Sequence, residues 1–167
     1  ETATNLVKGA PLTVTKSHLA DGFAQAVICN SGNANTCNAN GVEVAEAVCT
    51  LVEKETGIPA CDVIVASTGV IGQPLDITPI KDGMAALAAG LGNGSADAAE
   101  GIMTTDPVKK EIAVSFEIGG KPCTVGGIAK GSGMIHPNMA TMLLFMTTDA
   151  KVAPATLQKA LSTVVPA

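Results

Sequence analysis

The chain has 167 residues, 47% of them hydrophobic, with neither Trp nor Tyr, and its 15 acidic against 10 basic residues give a net charge of -5. That length is enough for one domain with a substantial core, and the scarcity of aromatics leaves the core to Ala, Val, Ile, Leu and Met. No Lys/Arg run exceeds Lys109-Lys110 and few rings are present for bases to stack on, which argues against nucleic acid and anionic membranes as partners.

Taken in order, PLTVTK at 11–16 alternates weakly and predicts a strand. Gln25 to Cys29, QAVIC, is a continuous apolar run suited to a buried strand. The polar cluster after it, Asn30-Ser31-Gly32-Asn33-Ala34-Asn35, is rich in groups that bond their own backbone. It reads either as a long turn or as a loop that presents amides to a ligand. From Gly41 to Thr56, Val42, Ala45, Val48, Cys49 and Val52 recur at helical spacing, with Glu43, Glu46, Glu53 and Glu55 on a solvated face. Gly57 and Pro59 stop that helix.

Asp62 to Ala66, DVIVA, is the next strand, and Ser67-Thr68-Gly69-Val70-Ile71-Gly72 follows it. Glycines directly after a buried strand let the backbone approach a ligand closely, so amides near Thr68 and Gly69 could cradle an anion. The G-K-[ST] ending of a phosphate loop is missing. Thr78-Pro79 predicts a helix start, with Thr as cap and Pro in the first turn, running to about Gly90. Ser95 caps a short helix over 96–102 that leads into Met103-Thr104-Thr105-Asp106. Residues 112–118 and 122–129 predict a hairpin across Gly119-Gly120. Leu143 to Thr148 adds a strand, and Pro154 to Val164 a helix with Leu157, Ala160, Leu161 and Val164 on one face. Strands with helices between and after them indicate a layered α/β domain, with no repeat, low-complexity tract or linker.

Five cysteines, Cys29, Cys37, Cys49, Cys61 and Cys123, are odd in number and lack C-x-x-C spacing. They fit thiols of a reducing cytoplasm better than a disulfide framework or a zinc site. No apolar run approaches the roughly 18 residues that span a bilayer, and no signal peptide precedes the fold, so a soluble, intracellular chain is expected. A start at Glu1 without an initiator Met and an end at Ala167 after a helical pattern lead us to expect an interior fragment.

The chemistry concentrates in Lys130 to Asp149, KGSGMIHPNMATMLLFMTTD. Gly131 and Gly133 open a loop, His136-Pro137-Asn138 turns it, and a β-prone segment follows from Met142. The hydroxyl of Thr141 sits at the junction, where glycine and proline permit a strained backbone. This arrangement suits a self-cleaving threonine, whose hydroxyl attacks the Ala140 carbonyl and whose freed α-amine then serves as base. It is equally the pattern of a loop before a core strand, with Thr141 an ordinary β-former. His18 and His136 lack a neighbouring nucleophile motif and match no metal-ligand spacing. Lys130, between an apolar strand and a glycine loop, is placed either to meet a substrate carboxylate or to solubilise a strand end.

Taken together, KGSGMIHPNMATML with STGVIG, NSGNAN and IMTTD upstream closely resembles the ornithine acetyltransferase family, the bifunctional glutamate N-acetyltransferases of arginine biosynthesis. The similarity runs from about Thr4 to Ala150. It implies an α/β fold, the sandwich of the self-processing aminopeptidase group with two β-sheets between helical layers. It implies a single acetyltransferase domain over 1–167, with 1–140 belonging to the α chain and 141–167 opening the β chain. Cleavage falls between Ala140 and Thr141, and the two chains remain associated, in higher assemblies such as a heterotetramer. Thr141 takes the acetyl group from N-acetylornithine and passes it to glutamate by a ping-pong route.

By position, Thr68 and Gly69 match the family's oxyanion-stabilising pair, while Thr104 and Lys130 match substrate-contacting residues. Thr36 and Asn38 stand where members vary and receive no role. The resemblance implies no cofactor and a cytoplasmic setting. It leaves open whether acetyl-CoA also donates, since members differ in this and no CoA signature is legible. The physics is compatible: an α-amine of pKa roughly 8 can act as base, and acyl transfer needs donors aimed at the developing oxyanion. A rival reading is a threonine-dependent amidohydrolase or aminopeptidase of the same fold, which would hand the acetyl group to water. A non-enzymatic binding remnant is a third.

Overall fold

The computed structural model describes residues 7–131 and 142–165, and they fall into two units, Leu6–Gly94 and Ser95–Ala167. In Leu6–Gly94 the order is α1 (Ala10–His18), β1 (Ala26–Asn30), α2 (Gly41–Thr56), β2 (Val63–Ser67) and α3 (Thr78–Ala89). Strands β1 and β2 pair in parallel from Ala26 opposite Val63 to Asn30 opposite Ser67, and α2 is the crossover that a parallel pair requires. Val14, Ala45, Val48, Cys49, Val52, Val63, Val65 and Met84 form the core.

Residues 11–16 are helical, which corrects the strand expected there. Pro11 occupies the first turn, where a missing N–H costs nothing and the fixed φ favours a helix. Val14 is buried to 1% exposure, and the polar residues beside it serve the edge of β2. The Thr15 hydroxyl donates to the Val65 carbonyl at 2.8 Å and accepts from the Val65 N–H at 3.1 Å. His18 Nδ1 meets the Val63 carbonyl at 2.8 Å, and its Nε2 lies 3.3 Å from Glu46. Side chains of α1 thus satisfy backbone groups that a third strand would otherwise pair. Glu46 is therefore tied to this contact instead of belonging to a purely solvated face.

Helix α2 has the predicted bounds and ends at Gly57, whose φ of 76° is left-handed and whose N–H donates to Glu53 at 2.8 Å. Val42 departs from the expected stripe and is 41% exposed. Helix α3 starts where expected, but its cap differs. The Asp76 carboxylate accepts the Thr78 N–H at 2.9 Å, and Thr78 is the first helical residue rather than the cap.

Ser95–Ala167 carries α4 (Ser95–Gly101), β3 (Lys110–Ile118), β4 (Lys121–Lys130), β5 (Leu143–Thr148) and α5 (Pro154–Val164). Its sheet is antiparallel in the order β3-β4-β5. The β3–β4 hairpin turns on Gly119 and Gly120, both at positive φ (57° and 77°), as a two-residue turn of this hand demands. Ala99 and Ile102 are buried beside α4's contacts with the sheet. Alternation puts Ile112 and Val114 on one face with Leu144 and Met146, and all four remain exposed. The α/β class with helices and two β-sheets is as expected.

Candidate active site

Thr68 and Gly69 lie in the turn that leaves β2. The Thr68 N–H donates to the Asn30 carbonyl at 2.8 Å, extending the parallel pairing by one step, so that N–H is spent on structure. Gly69 has φ 121°, and a Cβ built there would come within 2.5 Å of the Gly32 carbonyl carbon and 2.8 Å of the Asn33 nitrogen. No side chain fits such an approach. Beyond it, the Val70 N–H reaches Gly32 at 3.3 Å and the Ala34 N–H reaches Val70 at 2.8 Å. The two loops after β1 and β2 are therefore laced together. The Gly69 N–H donates to none of the described residues, which leaves it able to meet an oxyanion.

The NSGNAN loop turns out to be structural. Asn30 Oδ1 accepts from Gly32 at 2.9 Å while its Nδ2 donates to Asn33 at 2.8 Å. Asn33 accepts from the Asn35 N–H at 2.7 Å and donates to Gln73 at 3.0 Å. Asn35 is buried in a left-handed conformation (φ 47°) and donates to the Gly41 carbonyl at 2.8 Å, tying the loop to the start of α2. These side chains copy backbone pairing where none is available.

In the other unit, Thr104 is exposed in the turn after α4, and Lys130 closes β4 opposite Leu143. Lys130 is only 3% exposed, which rules out a role in strand-end solubility. The two are linked through a residue that sequence reasoning gave no role. Asp106 Oδ1 accepts the Gly131 N–H at 2.7 Å and the Lys110 ammonium at 2.6 Å. Burial pushes its carboxyl up, but the Lys110 ammonium and the Gly131 N–H outweigh that and hold it below the ordinary carboxylate value. Nothing in IMTTDPVKK marks it, since a spacing of four between Asp106 and Lys110 signals a pair only on a helix and Pro107 stands between them.

Ala140, Thr141 and His136 lie outside the described residues. The strand expected behind Thr141 is present, since β5 opens at Leu143. Among the described residues no group of three His, Cys, Asp or Glu is placed to hold a metal ion, and no helix is long and apolar enough to cross a membrane.

The model of the ArgJ family matches residues 2–167. The chain belongs to the ArgJ family. It is 52% identical over 160 residues to the arginine biosynthesis bifunctional protein ArgJ of Symbiobacterium thermophilum, covering 95% of this chain and 40% of that protein. The namesake from Caldanaerobacter subterraneus subsp. tengcongensis is 48% identical over 159 residues, covering 94% and 40%. The chain thus spans about 40% of the length of these curated ArgJ relatives. Among solved structures, an ArgJ from Bacillus halodurans superposes with a TM-score of 0.72 at 39% identity, over 84% of this chain and 73% of that one. The ornithine acetyltransferase of Mycobacterium tuberculosis, complexed with ornithine, gives 0.69 at 33% identity, over 84% and 74%. The chain thus has the fold of solved ArgJ structures.

Proposed function

We propose that this ArgJ chain is the part of an acetyltransferase that carries the nucleophile and moves acetyl from N-acetylornithine to glutamate. The Thr141 hydroxyl attacks the Ala140 carbonyl, the peptide shifts to an ester and so frees the Thr141 α-amine, and water then opens the ester, releasing the Ala140 carboxylate and restoring the hydroxyl. That amine then takes the proton as the same hydroxyl attacks the acetyl carbonyl of N-acetylornithine, and ornithine leaves with its amine protonated. The glutamate amine attacks the resulting acetyl ester, giving N-acetylglutamate and restoring the hydroxyl. Gly69 through its N–H and Thr68 through its hydroxyl are assigned to the oxyanion of each step, and Thr104 and Lys130 to the substrate.

The match to the ArgJ family over residues 2–167 carries this reading, because it includes every residue given a role. The backbone of Gly69, bare of any side chain and with its N–H donating to none of the described residues, supports its part. We further assign a cytoplasmic setting, in keeping with cysteines that form no disulfide among the described residues. The residues after the cleavage point are assigned to a β chain that stays associated, within an assembly such as a heterotetramer.

Intact mass of the full-length protein tests the first step: two chains separated before Thr141 are expected, and a single unbroken, active chain overturns the scheme. Thr141→Ala is expected to abolish both cleavage and transfer. With N-acetylornithine, glutamate should become N-acetylglutamate. Release of free acetate at one rate with and without glutamate identifies an amidohydrolase instead.

A further inference from the structure

Three segments meet at the carboxylate of Asp106. Its side chain is 2% exposed, and the single oxygen Oδ1 takes both the Gly131 N–H and the Lys110 ammonium. Lys110 opens β3 opposite Ala129 of β4 and also donates to the Val108 carbonyl at 3.2 Å. Gly131 is the residue at which the chain leaves β4, directly after Lys130. A Cβ on Gly131 would sit 3.4 Å from Asp106 Oδ1, so the carboxylate packs closely against the backbone it holds. Asp106 stands two residues after Thr104, at the end of the same turn. The other oxygen, Oδ2, is buried without a hydrogen bond among the described residues.

Burying a carboxylate is costly unless its hydrogen bonds repay the lost water, and here both described bonds fall on one oxygen. Lys110 alone could have been satisfied at the surface, where it is 42% exposed. What burial adds is a fixed acceptor for one backbone N–H, at the residue beside a proposed substrate contact.

We propose that Asp106 is a positioning residue for the acetyl transfer: its carboxylate locks the Thr104 turn to the Lys130-Gly131 end of β4, without touching substrate. The proposal rests on the roles assigned above to Thr104 and Lys130. It requires an acceptor at one distance, and the negative charge is secondary.

Two variants of the full-length protein separate those demands. Asp106→Asn keeps an oxygen at the same reach, whereas Asp106→Glu keeps the charge but carries it one methylene too far. In cleaved enzyme, Asp106→Glu is expected to raise KM for N-acetylornithine roughly 10-fold or more, as a displacement of about 1 Å can, with a smaller change in kcat. Asp106→Asn should stay within about 3-fold of wild type, the net loss of one modest hydrogen-bond increment. The reverse order, with Asn impaired and Glu normal, overturns the proposal in favour of charge. Equal KM in all three proteins overturns it as well. Lys110→Met controls for hairpin stability: a KM rise matching that of Asp106→Glu would show that the ion pair acts instead. Failure of wild type to cleave before Thr141 or to form N-acetylglutamate is a separate outcome, which removes the functional reading on which the proposal stands.

Discussion

Gly69 is where chain geometry and proposed chemistry coincide. The φ of 121° lies in a region that side chains disfavour, and the neighbouring Gly32 backbone fills the space a Cβ would need. Gly69→Ala is therefore expected to cost on the order of 1–3 kcal/mol from backbone strain alone, with the contact at Gly32 adding to it. Urea unfolding measures that loss, and kcat of whatever folds should fall further, since the N–H would move with the strained peptide. A variant with wild-type stability and rate would refute the assignment of this N–H. The two glycines of STGVIG made a close approach legible in the sequence, although what approached was another loop's backbone. Asp106 was not legible in the same way. A lone carboxylate in a TTD turn has no diagnostic spacing, and only the fold carries Gly131 to it from 25 positions away.

Among elements, those with strong periodicity or clear punctuation were read correctly: α2 with its Gly57 stop, the hairpin on Gly119-Gly120, β5, and α5 after Pro154. Helix α1 was misread because Leu12, Val14 and Thr15 look β-prone in so short a window, and tertiary contact overrides so weak a preference. Its polar residues make sense only once β2 is in place beside it. From this follows a stability prediction. Thr15→Val keeps the shape but strands both the N–H and the carbonyl of Val65, and should cost about 1–3 kcal/mol by urea unfolding. Thr15→Ser, which restores the hydroxyl, should recover most of that. Equal losses in the two variants would mean that the methyl's packing, and not the strand-edge hydrogen bonds, is what Thr15 contributes.

For the molecule as a whole, the roles proposed above differ in kind, Thr68 and Gly69 toward an oxyanion and Thr104 and Lys130 toward the substrate. The sequence motifs marked all four, yet spacing along the chain carries no information about which step each serves. Kinetics can assign the steps. An oxyanion donor acts on charge that develops only in the transition state, so Thr68→Val should lower kcat roughly 100-fold or more while leaving KM for N-acetylornithine nearly unchanged. A substrate contact made before and during the reaction acts uniformly, so Lys130→Met should raise KM with kcat largely kept. Because Lys130 is buried, its variant must first be shown to melt near the wild-type temperature, so that lost folding is not mistaken for lost binding. Both measurements belong on cleaved, full-length protein. An effect of Thr68→Val confined to KM would remove its hydroxyl from the oxyanion, and unchanged kinetics in Lys130→Met would leave that buried ammonium a structural role only.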